Sequence, residues 1–210
     1  MSGWDFGNTP STEQSQDKKA FTKFPVGTTH IRILDQEPHM RWIHWMPQFN
    51  RSIVCPGNCP VCTIRKREKN AGLESKYSMQ RKFSLNVYNH GTDKLEIMDE
   101  GIQFMEDLRD IREELLDDGK NLVDATLKVK KRMSDGKASY RIDIHEVTPV
   151  NEAEQEAFNN RTDMSEYFKA HPIEQILQML EVTENHKEKF IEIVSGGTQN
   201  DTQNEVIETE

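Results

Sequence analysis

The sequence predicts a mainly β fold with helical additions, and three observations support this prediction. Alternating apolar and polar residues in THIRIL and MRWIHWM predict two strands near the amino terminus. The stretches QRKFSLNVYNHGTDKLEIM and ATLKVKKRMSDGKASYRIDIHEV predict two hairpins, with turns at Asn89–Gly91 and Asp135–Gly136. Between them, apolar residues recur at helical spacing from Ile102 to Leu115, which predicts a helix. A small β-barrel with helical additions fits this order, and an oligonucleotide-binding barrel is the type that matches it.

Changes in composition predict four regions along the chain. Residues 1–20 are polar and without periodicity, which predicts a disordered arm. Residues 21–150 carry the strands and form the predicted core, with a zinc-binding subdomain at about residues 39–72. Residues 151–195 predict an acidic appendage of short helices in MSEYFKAH, PIEQILQML and NHKEKFIEIV. Residues 196–210 predict a disordered acidic tail.

The charges are segregated along the chain. The net charge is −9 overall, yet residues 18–147 carry a net charge of +4 and residues 148–210 a net charge of −10. Residues 41–82 are the most basic part, with 9 Lys and Arg against 2 Glu. A basic body beside an acidic end predicts a polyanionic ligand and a charged tail.

All three cysteines lie within eight positions, in RSIVCPGNCPVC. Cys55, Cys59 and Cys62 are spaced as metal ligands in a tight knuckle, and zinc prefers four ligands drawn from thiolate and imidazole. His44, on the preceding predicted strand, is the favoured fourth ligand, with His39 as the alternative; three free thiols, or one disulfide and a free thiol, are the other alternative. No acid lies between residues 44 and 62, so the predicted single zinc ion is structural and not catalytic.

Aromatic residues alternate with the basic residues of this segment. Proteins that bind single-stranded nucleic acid combine a basic groove with rings on which unpaired bases stack. Any one ring can instead belong to the core, and Phe83 is assigned there because it shares a strand face with Leu85 and Val87. The residues predicted to contact nucleic acid are Arg41, Trp45, Arg65, Lys66, Arg67, Tyr77, Arg81, Lys82, Lys128, Lys130 and Arg132.

These features together resemble the phage-type single-stranded DNA-binding proteins, the family of the helix-destabilising protein of T-even phages. The resemblance is carried by THIRIL, IHW and RSIVCPGNCPVC, followed by a basic strand-rich segment, and it covers about residues 21–147. It implies an oligonucleotide-binding barrel with an embedded zinc subdomain, in which His44, Cys55, Cys59 and Cys62 hold the metal. The chain differs from the T-even type in a shorter gap between Cys55 and Cys59, and in the lack of a basic amino-terminal arm.

The function predicted from these residues is non-catalytic coating of single-stranded DNA in phage or phage-like replication, recombination and repair. Replication proteins such as a polymerase, helicase or primase are the expected partners of the acidic tail, around NEVIETE. The absence of long apolar stretches predicts no membrane partner and a cytoplasmic location, in the host cell if the protein is phage-encoded. Two alternatives stay open: a zinc-bearing transcription or replication regulator that binds a polymerase, and a metal-dependent nuclease. Against the nuclease, the acids of the central helix have the spacing of a solvated face.

Overall fold

The computed structural model describes residues 19–180, and it has a seven-stranded antiparallel sheet with several helices. The mainly β class predicted from the sequence is therefore confirmed. Residues 1–18 of the predicted arm, the predicted helix NHKEKFIEIV and the predicted tail at residues 196–210 lie outside the described residues. The strands are β1 (Gly27–Ile33), β2 (His39–Met46), β3 (Arg51–Val54), β4 (Met79–Asn89), β5 (Lys94–Glu100), β6 (Ala125–Ser134) and β7 (Lys137–Val147). The α-helices are α1 (Pro60–Asn70), α2 (Ile102–Asp117), α3 (Glu152–Asn159), α4 (Met164–Tyr167) and α5 (Ile173–Met179).

The described chain divides into two compact units. Unit 1 holds the described residues up to Pro38 together with Ser84–Thr162, and unit 2 holds His39–Phe83 together with the described residues from Asp163 onward. The sequence interpretation placed a subdomain at 39–72 and a separate helical appendage at 151–195. In the structure α3 belongs to unit 1, whereas α4 and α5 belong to unit 2, so the short helices do not form one body.

Unit 1 is built on five strands in the order β5-β4-β1-β6-β7. Both predicted hairpins are present, and the second turns at Asp135 and Gly136, which both have the positive φ that a tight hairpin turn requires. The helix α2 lies between the hairpins in sequence, as predicted. The outer strands β5 and β7 do not pair in the part of the chain that the structure describes, so the sheet is open and no closed barrel is formed.

The core of unit 1 lies on one face of the sheet. The apolar residues at every second position of the strands point to this face. Ile31 and Ile33 on β1 and Leu127 on β6 are fully buried, as the alternation predicts. The helix α2 packs against β7, where the Phe104 ring lies 5.6 Å from the Tyr140 ring. Four residues of its predicted apolar stripe are buried, namely Met105, Leu108, Ile111 and Leu115, whereas Ile102 is exposed.

A buried ion pair connects α3 to β1 within unit 1. The Arg32 Nε atom donates to Glu154 Oε1 at 2.8 Å, and both side chains are only 1 % exposed. The rest of the Arg32 guanidinium donates to the carbonyl of Val123 and to the carbonyl and hydroxyl of Thr148, among other acceptors. Each buried charge thus has a partner from the chain itself, which is the condition under which a buried ion pair is tolerated.

Unit 2 combines β2, β3 and the first part of β4 with α1, α4 and α5. Its core contains Met46, Ile53, Cys59, Val61, Tyr77, Ile176 and Met179. Two of these residues come from α5, which follows the rest of the core by about 100 residues in sequence. His171 N also donates to the Val54 carbonyl at 3.3 Å, so the carboxy-terminal segment is tied to the end of β3.

Candidate metal centre and nucleic-acid surface

The three cysteines are positioned by the end of one strand and the start of one helix. Cys55 follows β3 directly, and its backbone N–H donates to the Trp42 carbonyl on β2 at 2.9 Å. The loop then turns through Gly57 with φ of 87° and Asn58 with φ of 43°, a left-handed conformation that glycine and asparagine adopt most readily. Cys59 caps α1, with Pro60 in the first turn. The Pro-Gly-Asn sequence therefore brings Cys55 back to the amino end of α1.

Four side chains converge at this point. His44 Nε2 lies 3.3 Å from Cys59 Sγ and 3.3 Å from Cys62 Sγ. The three sulfur–sulfur distances are 3.7, 3.6 and 3.7 Å. All four ligand atoms lie within 4.8 Å of one another, close enough to bind one metal ion. The grouping of His44 with Cys55, Cys59 and Cys62 is thus present as the spacing predicted.

His39, the alternative fourth ligand, is not part of this group. Its ring is stacked on the Phe168 ring, with the two centroids 6.3 Å apart. His39 opens β2, and His44 is five residues further along the strand, next to its end at Met46. The geometry therefore favours His44 over His39.

The surroundings of the cluster favour a deprotonated sulfur at Cys55. Hydrogen bonds from Cys59 and Cys62 lower the pKa of the Cys55 thiol far below its ordinary range, and the Gly57 N–H adds a further bond at 3.3 Å. The pKa of Cys59 is raised because its own proton is shared with Cys55 and Cys62. Burial lowers the pKa of His44, but its hydrogen bonds with Cys55 and Cys62 outweigh this and raise the pKa to about 9. The amino end of α1 also points its partial positive charge toward Cys59 and Cys62.

The cluster is closed to solvent on its inner side. His44 and Cys59 are fully buried, and Cys55 and Cys62 are half-buried. Ile176 and Met179 of α5 complete the apolar shell around it. The His44 Nδ1 atom is buried and has no hydrogen-bond partner among residues 19–180. A set of four protein ligands in a closed shell suits a metal that stabilises the fold and leaves no position for a substrate.

Two of the residues predicted to contact nucleic acid are buried. Tyr77 is 4 % exposed in the core of unit 2, so its ring offers no face to a base. Arg41 is 8 % exposed, and its guanidinium carbon lies 3.5 Å from the centre of the Phe168 ring. Both residues were expected at the surface. Both are buried because segments distant in sequence, α5 and the end of α4, cover them.

Other predicted residues are exposed and have aromatic neighbours. Trp45 is 38 % exposed. The Arg81 guanidinium lies 5.6 Å from the centre of the Trp42 ring and 5.6 Å from that of Phe83. Trp42, which is 40 % exposed, was not among the predicted contacts. Its position among the basic residues of the segment 41–82 is the sequence signal that could have identified it.

The basic residues of α1 surround a recess. This recess has a volume of about 430 Å³ and is lined by Cys62, Arg65, Lys66, Lys69, Leu73 and Ser75. No acidic residue lines the recess. None of its three cations, Arg65, Lys66 and Lys69, forms an ion pair within the described part of the chain. The Arg65 Nε atom is buried and also lacks a hydrogen-bond partner among these residues. Arg67 is exposed on the same helix but does not line the recess.

The remaining predicted residues lie on β4 and β6. Lys82 is half-buried on the first part of β4, in unit 2. Lys128 and Lys130 are half-buried and Arg132 is exposed on β6, in unit 1. The three basic residues of β6 occupy its outward positions, whereas Leu127 and Val129 point into the core, as the alternation predicted.

Comparison of the chain with family models, with curated proteins and with solved structures found no match in any of the three. None of the helices in residues 19–180 is long and apolar enough to cross a membrane.

Proposed function

We propose that this protein binds single-stranded DNA with little sequence preference and without catalysis, and that its cysteine–histidine cluster holds one structural zinc ion. The family resemblance in the sequence implies the same function. The physical support lies in the zinc geometry, in the exposed rings and cations of unit 2, and in the strand arrangement of unit 1.

The distances within the cluster fit zinc. A tetrahedral zinc ion has Zn–S distances of about 2.3 Å and a Zn–N distance of about 2.0 Å, which set sulfur–sulfur edges of about 3.8 Å and sulfur–nitrogen edges of about 3.5 Å. The observed sulfur–sulfur edges are 3.6–3.7 Å, and the edges from His44 Nε2 are 3.3 Å. Three thiolates and one imidazole are also a donor set that zinc prefers. When bound, the ion supplies a cross-link between β2, the knuckle and α1.

The single observation that carries the binding proposal is the pair formed by Trp42 and Arg81. An indole that is exposed beside a guanidinium offers a face for stacking and a charge for phosphate in one place. Phe49 and Arg51 repeat this arrangement, with the guanidinium 5.6 Å from the ring centre. Isolated exposed rings are common on protein surfaces, but rings that are each paired with a cation are the features that single-strand binding uses.

The recess on α1 provides the sequence-independent part of the binding. Arg65, Lys66 and Lys69 are cations without acidic partners in the described chain, so a phosphate is the natural counterion. Binding through such contacts releases condensed cations from the strand, and the affinity therefore falls as salt rises.

Unit 1 supports the oligonucleotide-binding fold as part of the proposal. That fold is a five-stranded, partly open barrel, and unit 1 has five antiparallel strands with an opening between β5 and β7. The acidic tail, which lies outside the described residues, is proposed as the contact for replication proteins because it carries four acids and no base in residues 198–210.

Intrinsic tryptophan fluorescence tests the proposal. Titration with oligo-dT should quench the emission, and a duplex of equal length should quench it far less. About five phosphate contacts would give a slope of roughly −3.5 in a plot of log affinity against log salt. Binding that is insensitive to salt, or equal affinity for the duplex, would reject single-strand binding. If neither ligand binds, the regulator that contacts a polymerase becomes the better proposal.

A further inference from the structure

A second recess lies in unit 1, and none of its lining residues is used above for metal or strand binding. It has a volume of about 380 Å³ and lies where the start of β1 meets the turn between β4 and β5. Lys23, Thr28, His30 and His90 contribute side chains with donor groups to its wall, and its lining contains no carboxylate.

The polar groups of the turn are already paired, so the side chains are the donors that a ligand would meet. The amides of His90 and Gly91 donate to the His30 carbonyl and to Asn89 Oδ1 at 3.0 and 2.9 Å. Asn89 and Thr92 in turn donate to the buried carboxylate of Glu96, at 2.9 and 2.8 Å. Neither Lys23 nor His30 forms an ion pair or hydrogen bond through its side chain within residues 19–180.

Positive and titratable groups face His30 from three sides. The His145 ring of β7 lies 4.3 Å from the His30 ring, centre to centre. Lys128 is the register partner of His30 on β6, so their side chains share one face of the sheet. His90 lies on the turn and contacts Glu154 Oε1 at 3.3 Å. The acids nearby are Glu154, which is shared with Arg32, and Glu146 of β7.

This arrangement repels a metal ion and attracts an anion. The ammonium groups of Lys23 and Lys128 oppose a divalent cation, and residues 19–180 contain no group of three or more potential metal ligands apart from the cysteine–histidine cluster. An oxyanion with several oxygens can accept from an ammonium, an imidazolium and a hydroxyl together. We propose that the recess formed by Lys23, Thr28, His30 and His90 is a binding site for a phosphate group, either free or carried by a nucleotide.

Binding at this site takes up protons. Burial, then the facing His145, His90 and Lys128, lower the pKa of His30 below its ordinary value of 6.5, and Glu146 opposes them. His30 is therefore neutral at pH 7 before binding, and a bound dianion stabilises its protonated form. By linkage, affinity rises as the pH falls and is lost as the pH rises, by up to about tenfold per pH unit for one proton taken up.

Nuclear magnetic resonance of the histidine Cε1 protons in the zinc-loaded full chain tests the site. Inorganic phosphate should shift the His30 and His90 resonances in a saturable manner. Sulfate, which stays a dianion throughout, should bind more weakly at pH 8 than at pH 7, by up to about tenfold. Acetate at the same ionic strength should not compete.

Variants separate the site from a general salt effect. Lys23→Gln and His30→Gln should each weaken phosphate binding at least about fivefold, and Lys94→Gln, an exposed lysine of the same unit, should not. Because Lys23 is exposed and lies outside the strands, its substitution leaves the fold intact even if His30→Gln does not. Resonances that fail to shift with phosphate, or equal binding by Lys23→Gln and Lys94→Gln, would overturn the proposal.

Two further ligands identify the source of the phosphate. Thymidine 5′-monophosphate and thymidine differ only in the phosphate, so tighter binding of the monophosphate than of inorganic phosphate, with no binding of thymidine, assigns the recess to a nucleotide. Binding of inorganic phosphate without thymidine 5′-monophosphate assigns it to the free ion. Neither result depends on the strand-binding proposal, which concerns other residues and is tested with oligo-dT.

Discussion

The two units each bury a polar cluster, but they stabilise it in different ways. In unit 1, Arg32 and Glu154 neutralise each other at 2.8 Å, and further acceptors from the chain satisfy the guanidinium. In unit 2, three sulfurs and the His44 imidazole converge with no Lys or Arg among them. Unit 1 therefore contains both members of its charge pair, whereas unit 2, in the proposed zinc-bound form, takes its cation from outside the chain. The two units should therefore respond differently to chelators and to substitution.

Removal of the metal is expected to have the largest effect. Zinc binding to structural sites of this type contributes about 10–16 kcal/mol at pH 7, more than a domain's typical net stability. A strong chelator, or Cys59→Ser, should therefore unfold unit 2 and release one zinc ion per chain, while unit 1 keeps its fold. Zinc analysis and hydrogen exchange resolved by unit measure this. Protein without metal that exchanges at unchanged rates in unit 2 would contradict the proposed structural ion.

Substitution in the buried ion pair should have the next largest effect, and in the other unit. Glu154→Gln leaves the Arg32 charge buried without its counterion, which destabilises by about 3–5 kcal/mol. Glu152→Gln on the same helix α3 is the matched control, because Glu152 is exposed. Denaturant unfolding should show the loss in Glu154→Gln only, with zinc content unchanged in both variants. If both variants lost the same amount of stability, the loss would be due to a change in α3 and not to the broken ion pair.

Trp42 should contribute more to strand binding than Trp45, although the sequence favoured Trp45. Trp42→Ala should weaken oligo-dT binding by about 1–3 kcal/mol if the ring stacks on a base. Trp42→Phe keeps an aromatic face and should lose less. Fluorescence anisotropy of a labelled oligonucleotide measures the affinities of Trp42→Ala, Trp42→Phe and Trp45→Ala without relying on tryptophan emission. If Trp45→Ala loses more than Trp42→Ala, the original assignment stands and the ring beside Arg81 is not the platform.

The smallest expected effect concerns the salt dependence. If Lys66 and Lys69 each neutralise one phosphate, replacing both by glutamine should make the slope less negative by about 1.4, since each contact contributes about −0.7 for single strands. Lys94→Gln, in unit 1, should leave the slope unchanged. Measurement of oligo-dT affinity at four or more salt concentrations gives the slope. An unchanged slope in the double variant would remove the α1 recess from the binding surface.

Local pattern was sufficient to predict most of the elements and the four residues that converge at the candidate metal centre. The hairpins, α2 and β2 were predicted because their periodicity, turn residues and glycines are local signals. Two elements were missed. The strand β3 has only four residues, which is too short for alternation to be recognised. The helix α3 did carry a signal, since Asn151 and Glu154 form a capping box at its start.

The exposure of individual side chains could not be predicted in the same way. Arg41 was expected at the surface because it belongs to the basic segment of residues 41–82, and Tyr77 because it lies beside a basic residue in sequence. Their burial is due to Phe168 and to α5, which lie about 100 residues or more further along the chain. The division into units has the same origin, because His39–Phe83 is completed by residues after Asp163. No short stretch of the sequence contains both parts of unit 2.

The distance in sequence between the knuckle and α5 has a consequence for synthesis of the protein. About 110 residues separate Cys62 from the start of α5 at Ile173. At about 5–20 residues per second, the ribosome completes Cys62 about 6–22 s before it makes the helix that covers the site. The nascent thiols are therefore open to solvent, oxidants and competing metals during that interval. Zinc captured early would protect them, so the yield of correctly metallated protein should depend on the zinc supply during translation rather than after it.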